Sequence, residues 1–143
     1  MKSLALNESS FLVVFSDEEV IASLTSFVAE NGIAFGAFTA VGSISRGTLA
    51  WWNAATRAIV REDFDGQFEA ASFSGNITAG TGTTPPGPRV HAHTVLANGS
   101  LIRAGHVVAA HAYPQLELVL TTPSAIGIKR KKDPDTNLWL MDL

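Results

Sequence analysis

The sequence predicts an α+β fold in one compact domain spanning residues 1–143: an antiparallel sheet of about seven or eight strands and one main helix, at about 17–30. Three observations lead there. Apolar residues repeat with a helical period in only one stretch. Elsewhere they alternate with period two or form short β-branched runs, bounded by Gly, Asn, Asp and Pro at hairpin spacing. With 143 residues, 46% of them hydrophobic and only 16% charged, the chain can bury a real core and is too apolar to stay disordered.

The elements follow in order. Phe11-Leu12-Val13-Val14-Phe15 reads as a buried strand. Ser16 with Glu19 three residues on forms a capping box, with Asp17 and Glu18 in the first turn. Val20, Ile21, Leu24, Phe27 and Val28 make the apolar stripe of the helix, and Asn31-Gly32 ends it. Strands are then expected at 33–41, 47–52, 57–64 and 67–77, with a turn at Asp65-Gly66 and close packing or a bulge at Gly75. Residues 79–88, rich in Gly, Thr and Pro, read as a loop. A hairpin follows around Asn98-Gly99, then a strand at 116–121 and a short last one at 138–141. Tyr113-Pro114 suggests a strand ending there, and Lys129-Arg130-Lys131-Lys132 reads as a solvated turn.

Composition narrows the function classes. Cysteine is absent, so disulfides and thiolate metal sites are excluded. No apolar run is long enough to cross a bilayer, and Met1 to Glu8 carry no signal-peptide stretch, so a cytoplasmic protein is expected. A net charge of −3 disfavours broad, sequence-blind nucleic-acid binding by the globular body. The basic run at 129–132 is the one candidate phosphate-contacting patch, and oligomerisation would multiply it.

The chemistry concentrates in the hairpin. His91 and His93 are two apart, so a strand sends both imidazoles to one face, with Cα atoms about 6.6 Å apart. A two-residue type I′ turn at Asn98-Gly99 pairs Ala97 with Ser100 and therefore His91 with His106, which puts all three rings on that face. A loop one residue longer would turn His106 away. Neutral imidazole is a good zinc ligand, and three of them leave a fourth position for water. The competing interpretation is three polar residues on a half-exposed sheet face with no ion, which an isolated His-x-His favours; the third histidine in register weighs toward metal, together with the family resemblance below. His111, five residues past His106, faces the other way and reads as a surface or turn residue. Glu69 and Glu117 read as outward-facing or salt-bridged groups, with an orienting or acid/base role as the sharper alternative.

Several segments together resemble a known family. Gly66-Gln67-Phe68-Glu69-Ala70-Ala71-Ser72-Phe73-Ser74-Gly75-Asn76-Ile77 is similar to its Gly-x-Phe-Glu-apolar-x-Ser-apolar-Ser-Gly-x-Ile pattern. Asn31 to Ser43 resembles its post-helix strand and Gly-Ser turn, and His91-x-His93 with Gly105-His106 resembles its His-x-His and Gly-Gly-His elements. The family is the PPC domain, "plants and prokaryotes conserved", which in plants accompanies AT-hook DNA-binding motifs. The resemblance runs from about Phe11 to the C-terminus. It implies an α+β subunit, a homotrimer, and in some prokaryotic members a metal, zinc, on the histidines matching His91, His93 and His106. Prokaryotic members are described as DNA-binding largely by kinship with the plant proteins. This chain has Ala104 where the first Gly of Gly-Gly-His is usual. It contains no Arg-Gly-Arg-Pro core, so the AT-hook that makes the plant proteins' minor-groove contact is missing. A DNA-binding homotrimer with a zinc site is the leading expectation. A metal-dependent enzyme on a small molecule, and an assembly module stiffened by metal, are the alternatives; the sequence shows neither a general base nor a nucleophile motif for the enzyme.

Overall fold

The computed structural model describes residues 1–80, 87–123 and 127–143, so most of the expected 79–88 loop lies outside the described residues. In chain order the elements are β1 (Lys2–Asn7), β2 (Ser10–Phe15), β3 (Glu18–Glu19), α1 (Val20–Glu30), β4 (Phe35–Asn53), β5 (Ala58–Thr78), β6 (Arg89–Asn98), β7 (Leu101–Thr121), β8 (Lys129–Lys132) and β9 (Trp139–Asp142). This is the expected α+β architecture. The main sheet has seven strands in the order β1-β2-β7-β4-β5-β6, with β3 on β7, and β8 and β9 form a small sheet of their own. β6 also pairs back onto β7, so β7, β4, β5 and β6 close into a ring.

Several strands are longer than the sequence suggests. The segments expected at 33–41 and 47–52 are one strand, β4, and those at 57–64 and 67–77 are one strand, β5. Asp65-Gly66 is therefore not a hairpin turn: Asp65 pairs with Arg46, and the extra residue of a bulge lies beside it in β5. Bulges bend long strands and let each serve two parts of a curved sheet. Gly42 sits at one of them with φ +136, and a Cβ there would lie 2.3 Å from the Gln115 carbonyl oxygen, so only glycine fits. β7 likewise runs through Tyr113-Pro114. Its ladder to β4 passes from Ala112 to Leu116, which leaves Pro114, with no N–H to give, outside the pairing. The basic run at 129–132 is a strand rather than a turn. β1 was not expected at all; every residue of it is exposed.

The helix starts later than expected, at Val20. Its N-cap is Glu19, not Ser16: the Glu19 carboxylate accepts from Ile21 N and Ala22 N, and at 3.0 Å from Ala110 N on β7. One carboxylate thus caps the helix and ties it to the sheet, and Asp17 and Glu18 lie before the first turn rather than in it. The expected stripe faces inward, with Val20, Leu24, Phe27 and Val28 buried against Phe15, Phe73, Leu116, Leu118 and Leu120. This core occupies one face of the sheet. The opposite face carries the histidines.

Candidate metal centre

β6 alternates as its sequence demands. Ala92, Thr94 and Leu96 are buried, while His91, His93 and Val95 lie on the outer face. β7 then brings His106 beside them. The turn differs from the expected one. Asn98 pairs with Leu101, so Gly99 and Ser100 are the loop, and of these only Gly99 has positive φ, at +58. That is the pattern of a type II′ turn, with glycine in the first loop position, in place of type I′. The register moves by one residue on each strand, so His106 faces His93 and not His91. Such a shift preserves parity, and His106 keeps the expected face.

The three rings converge. Their centroids are 5.1 Å (His91–His93), 5.0 Å (His91–His106) and 5.4 Å (His93–His106) apart. One nitrogen from each can be chosen so that all lie within 4.8 Å of one another. His93 is exposed, and the other two are half-buried. The donor set is right for zinc: three neutral nitrogen ligands on two hydrogen-bonded strands. Burial, the Arg130 charge and the neighbouring imidazoles push His91 down to about 4. Burial, His93, Arg130 and Arg61 lower His106 as well. Neutral imidazole is the form a cation binds, so both shifts favour the binding form, and His91 gives up no proton on binding at neutral pH.

The same shift predicts an acid weakness of the metal-free protein. The His91 pKa falls from 6.5 in the open chain to about 4 in the fold. Between those values the unfolded chain binds more protons, so stability drops as pH falls through 6.5 toward 4 and the His91 contribution levels off below that. We expect a loss on the order of 2 kcal/mol, allowing for partial exposure. Urea midpoints of metal-free protein at pH 7 to 4 check this, with His91→Gln showing the shallower dependence.

Arg130 is the residue sequence reasoning missed. In strand β8, Lys129, Lys131 and Lys132 are exposed and Arg130 is half-buried. Its Nε donates to Thr78 Oγ1 (3.2 Å), its Nη1 to the Trp139 carbonyl (3.0 Å), and its Nη2 to Asn76 Oδ1 (2.8 Å) and His91 Nδ1 (3.2 Å). Arg89 stacks over the Trp139 ring, 5.4 Å from its centroid.

The other candidate residues stay apart from the trio. His111 is not a free surface group: its Nε2 lies 3.0 Å from Asp17 Oδ1 and its Nδ1 3.3 Å from Arg46 Nη2. It helps line a cleft of about 320 Å³ with Glu19, Arg46, Thr48, Phe64 and Asp65, which the three histidines do not line. Glu69 is exposed and accepts from Ser43 Oγ at 3.1 Å. Glu117 is exposed between Val14 and Val41. Among the described residues no carboxylate joins the histidine cluster.

Comparison with known proteins follows the same lines. The family model of the Plants and Prokaryotes Conserved (PCC) domain matches residues 2–123. No curated protein matches the chain. A candidate DNA-binding protein from Bacteroides thetaiotaomicron is 25% identical, with a TM-score of 0.87 over 99% of this chain and 96% of that one. A metal-containing protein from Archaeoglobus fulgidus is 21% identical, with a TM-score of 0.86 over 100% of both chains. A plant- and prokaryote-conserved protein from Pyrococcus horikoshii is 21% identical, with a TM-score of 0.83 over 94% of this chain and 91% of that one. No helix among the described residues is long and apolar enough to cross a membrane.

Proposed function

The chain belongs to the Plants and Prokaryotes Conserved domain family, and from that premise we propose that it is a cytoplasmic, homotrimeric DNA-binding protein carrying zinc on His91, His93 and His106. The observation that carries the proposal is the convergence of three imidazoles, with no Asp, Glu or Cys in the cluster among the described residues. The metal-containing relative supports the ion. When bound, the ion supplies a fixed positive charge and a Lewis-acid centre. His91 and His93 would hold it from β6 and His106 from β7, with Arg130 anchored beside them on Asn76. Among the described residues no carboxylate joins the three histidines to serve as a general base.

The DNA half draws on the Bacteroides relative and on the exposed Lys129, Lys131 and Lys132 of β8, beside the metal face. Three copies of that run in a trimer would offset a net charge of −3 per chain locally. The trimer has its own support in Val41 (62% exposed), Val95 (37%) and Val119 (41%), apolar side chains on the outer face of the sheet. Light scattering should give three times the 15.1 kDa chain mass.

Duplex titrations across a salt series test the function directly. Affinity should fall with a log–log slope of about −0.9 per phosphate contacted. Replacing Lys129, Lys131 and Lys132 by Gln should flatten the slope by roughly one unit for each contact removed. No duplex binding at low salt, with zinc present, would overturn the DNA-binding reading and leave the metal site standing.

A further inference from the structure

Arg130 and His91 share one hydrogen bond, and that bond is incompatible with a metal. A guanidinium has donors only, so in the Arg130–His91 contact Nη2 donates and His91 Nδ1 accepts. A neutral imidazole has a single bare nitrogen. The one lone pair of His91 is therefore spent on Arg130. If an ion takes Nδ1, it takes the lone pair that Nη2 was using. If it takes Nε2, the ring proton must sit on Nδ1, and an N–H then faces an N–H. Either way, loading the site frees an N–H of Arg130 next to the ion.

The freed donor stays anchored. Nε keeps Thr78 Oγ1, Nη1 keeps the Trp139 carbonyl, and Nη2 keeps Asn76 through its other hydrogen. Three of the four contacts survive, so the guanidinium remains poised over the site. The charge around it is one-sided. Arg61 acts on His106 and Arg89 on Arg130, and no carboxylate joins the histidines among the described residues. A divalent ion on the imidazoles, beside the Arg130 guanidinium, leaves uncompensated positive charge and a half-buried donor without an acceptor. An oxyanion answers both.

We propose that the loaded three-histidine site takes an oxyanion, a carboxylate or phosphoryl group, and that Arg130 Nη2 holds it. The inference rests on the metal reading above. Arg130 is thus a competitor for His91 when the ion is absent and an anion ligand when it is present.

Cobalt(II) loading of the full chain provides the probe, because its visible spectrum reports the ligands around the ion. Inorganic phosphate and acetate are titrated separately into wild type, Arg130→Gln and Arg130→Lys, with cobalt content measured after each titration and thermal melts confirming that each variant folds. Wild type should show a saturable spectral change with at least one anion; phosphate alone marks a phosphoryl group, acetate alone a carboxylate, both a general oxyanion site. Arg130→Gln should weaken that binding roughly 10-fold or more, Arg130→Lys should recover part of it, and Arg130→Gln should bind cobalt at least as tightly as wild type. Equal anion affinity in wild type and Arg130→Gln would overturn the role of Arg130. A spectrum that ignores both anions would overturn the site. Failure of wild type to take up cobalt would instead sink the metal reading, and this inference with it.

Discussion

Replacing His93 by alanine should strip the protein of stoichiometric zinc while leaving its melting temperature nearly unchanged. His93 is the exposed member of the trio, directly opposite His106 and two residues from His91. Its side chain is exposed, and substitutions of this kind usually move stability by less than about 0.5 kcal/mol. The effect on the metal is of another order. Losing a mere orienting partner of a ligand costs about 10–100-fold in affinity; losing one ligand of three should exceed that, and the two imidazoles left, His91 on β6 and His106 on β7, should not hold zinc against dialysis. Zinc per chain by elemental analysis, read beside a thermal melt, separates the two effects. Equal zinc in wild type and variant would remove these histidines from consideration as ligands.

Gly75→Ala should do the reverse, damaging the fold first and the site through it. Gly75 lies in β5 opposite Ala92, between the ladder partners of His91 and His93. A Cβ there would stand 2.2 Å from the His91 carbonyl oxygen, 2.5 Å from Phe38 Cζ and 3.0 Å from Ala92 Cα. Two of those three atoms are backbone, so no side-chain rotation relieves the contact. β6 must move away from β5, carrying His91 with it, or the Phe38 ring must leave the core. Overpacking typically costs about 1–3 kcal/mol, and the loss of ladder hydrogen bonds adds to it. We expect a destabilisation of at least about 3 kcal/mol by urea unfolding, with zinc affinity falling in parallel. A variant as stable as wild type would show that the β5–β6 ladder is looser than its packing indicates.

The sequence carried the histidine site because its signal is local. His-x-His fixes two rings on one face whatever the sheet does, and a two-residue loop brings His106 to that face in either turn type. The register itself was less legible: Asn98-Gly99 suits one turn, Gly99-Ser100 another, and nothing short-range decides between them. Strand lengths were misread for a related reason. Gly42, Asp65-Gly66 and Tyr113-Pro114 carry the marks of strand ends, yet each sits where the ladder slips and the same strand continues. Ser16 and Glu19 fit a capping box by spacing, but the Glu19 carboxylate had a second use at Ala110 N that only the folded chain supplies. Arg130 was invisible because its meaning lies in a contact with His91, 39 residues away. The family resemblance, by contrast, rested on order and spacing over most of the chain and identified its membership correctly.

The pairing of β2 with β7 also bears on how the protein is made. Ser10 meets Thr121 and Phe15 meets Leu116, so the second strand of the chain finds its inner neighbour only after more than a hundred residues of synthesis. A nascent chain leaving the ribosome must therefore hold Phe11, Val13 and Phe15 without their partners until the far end of β7 emerges. Translation pauses placed before residue 121 should lengthen that vulnerable interval, and truncated products ending there should be the ones that chaperones retain.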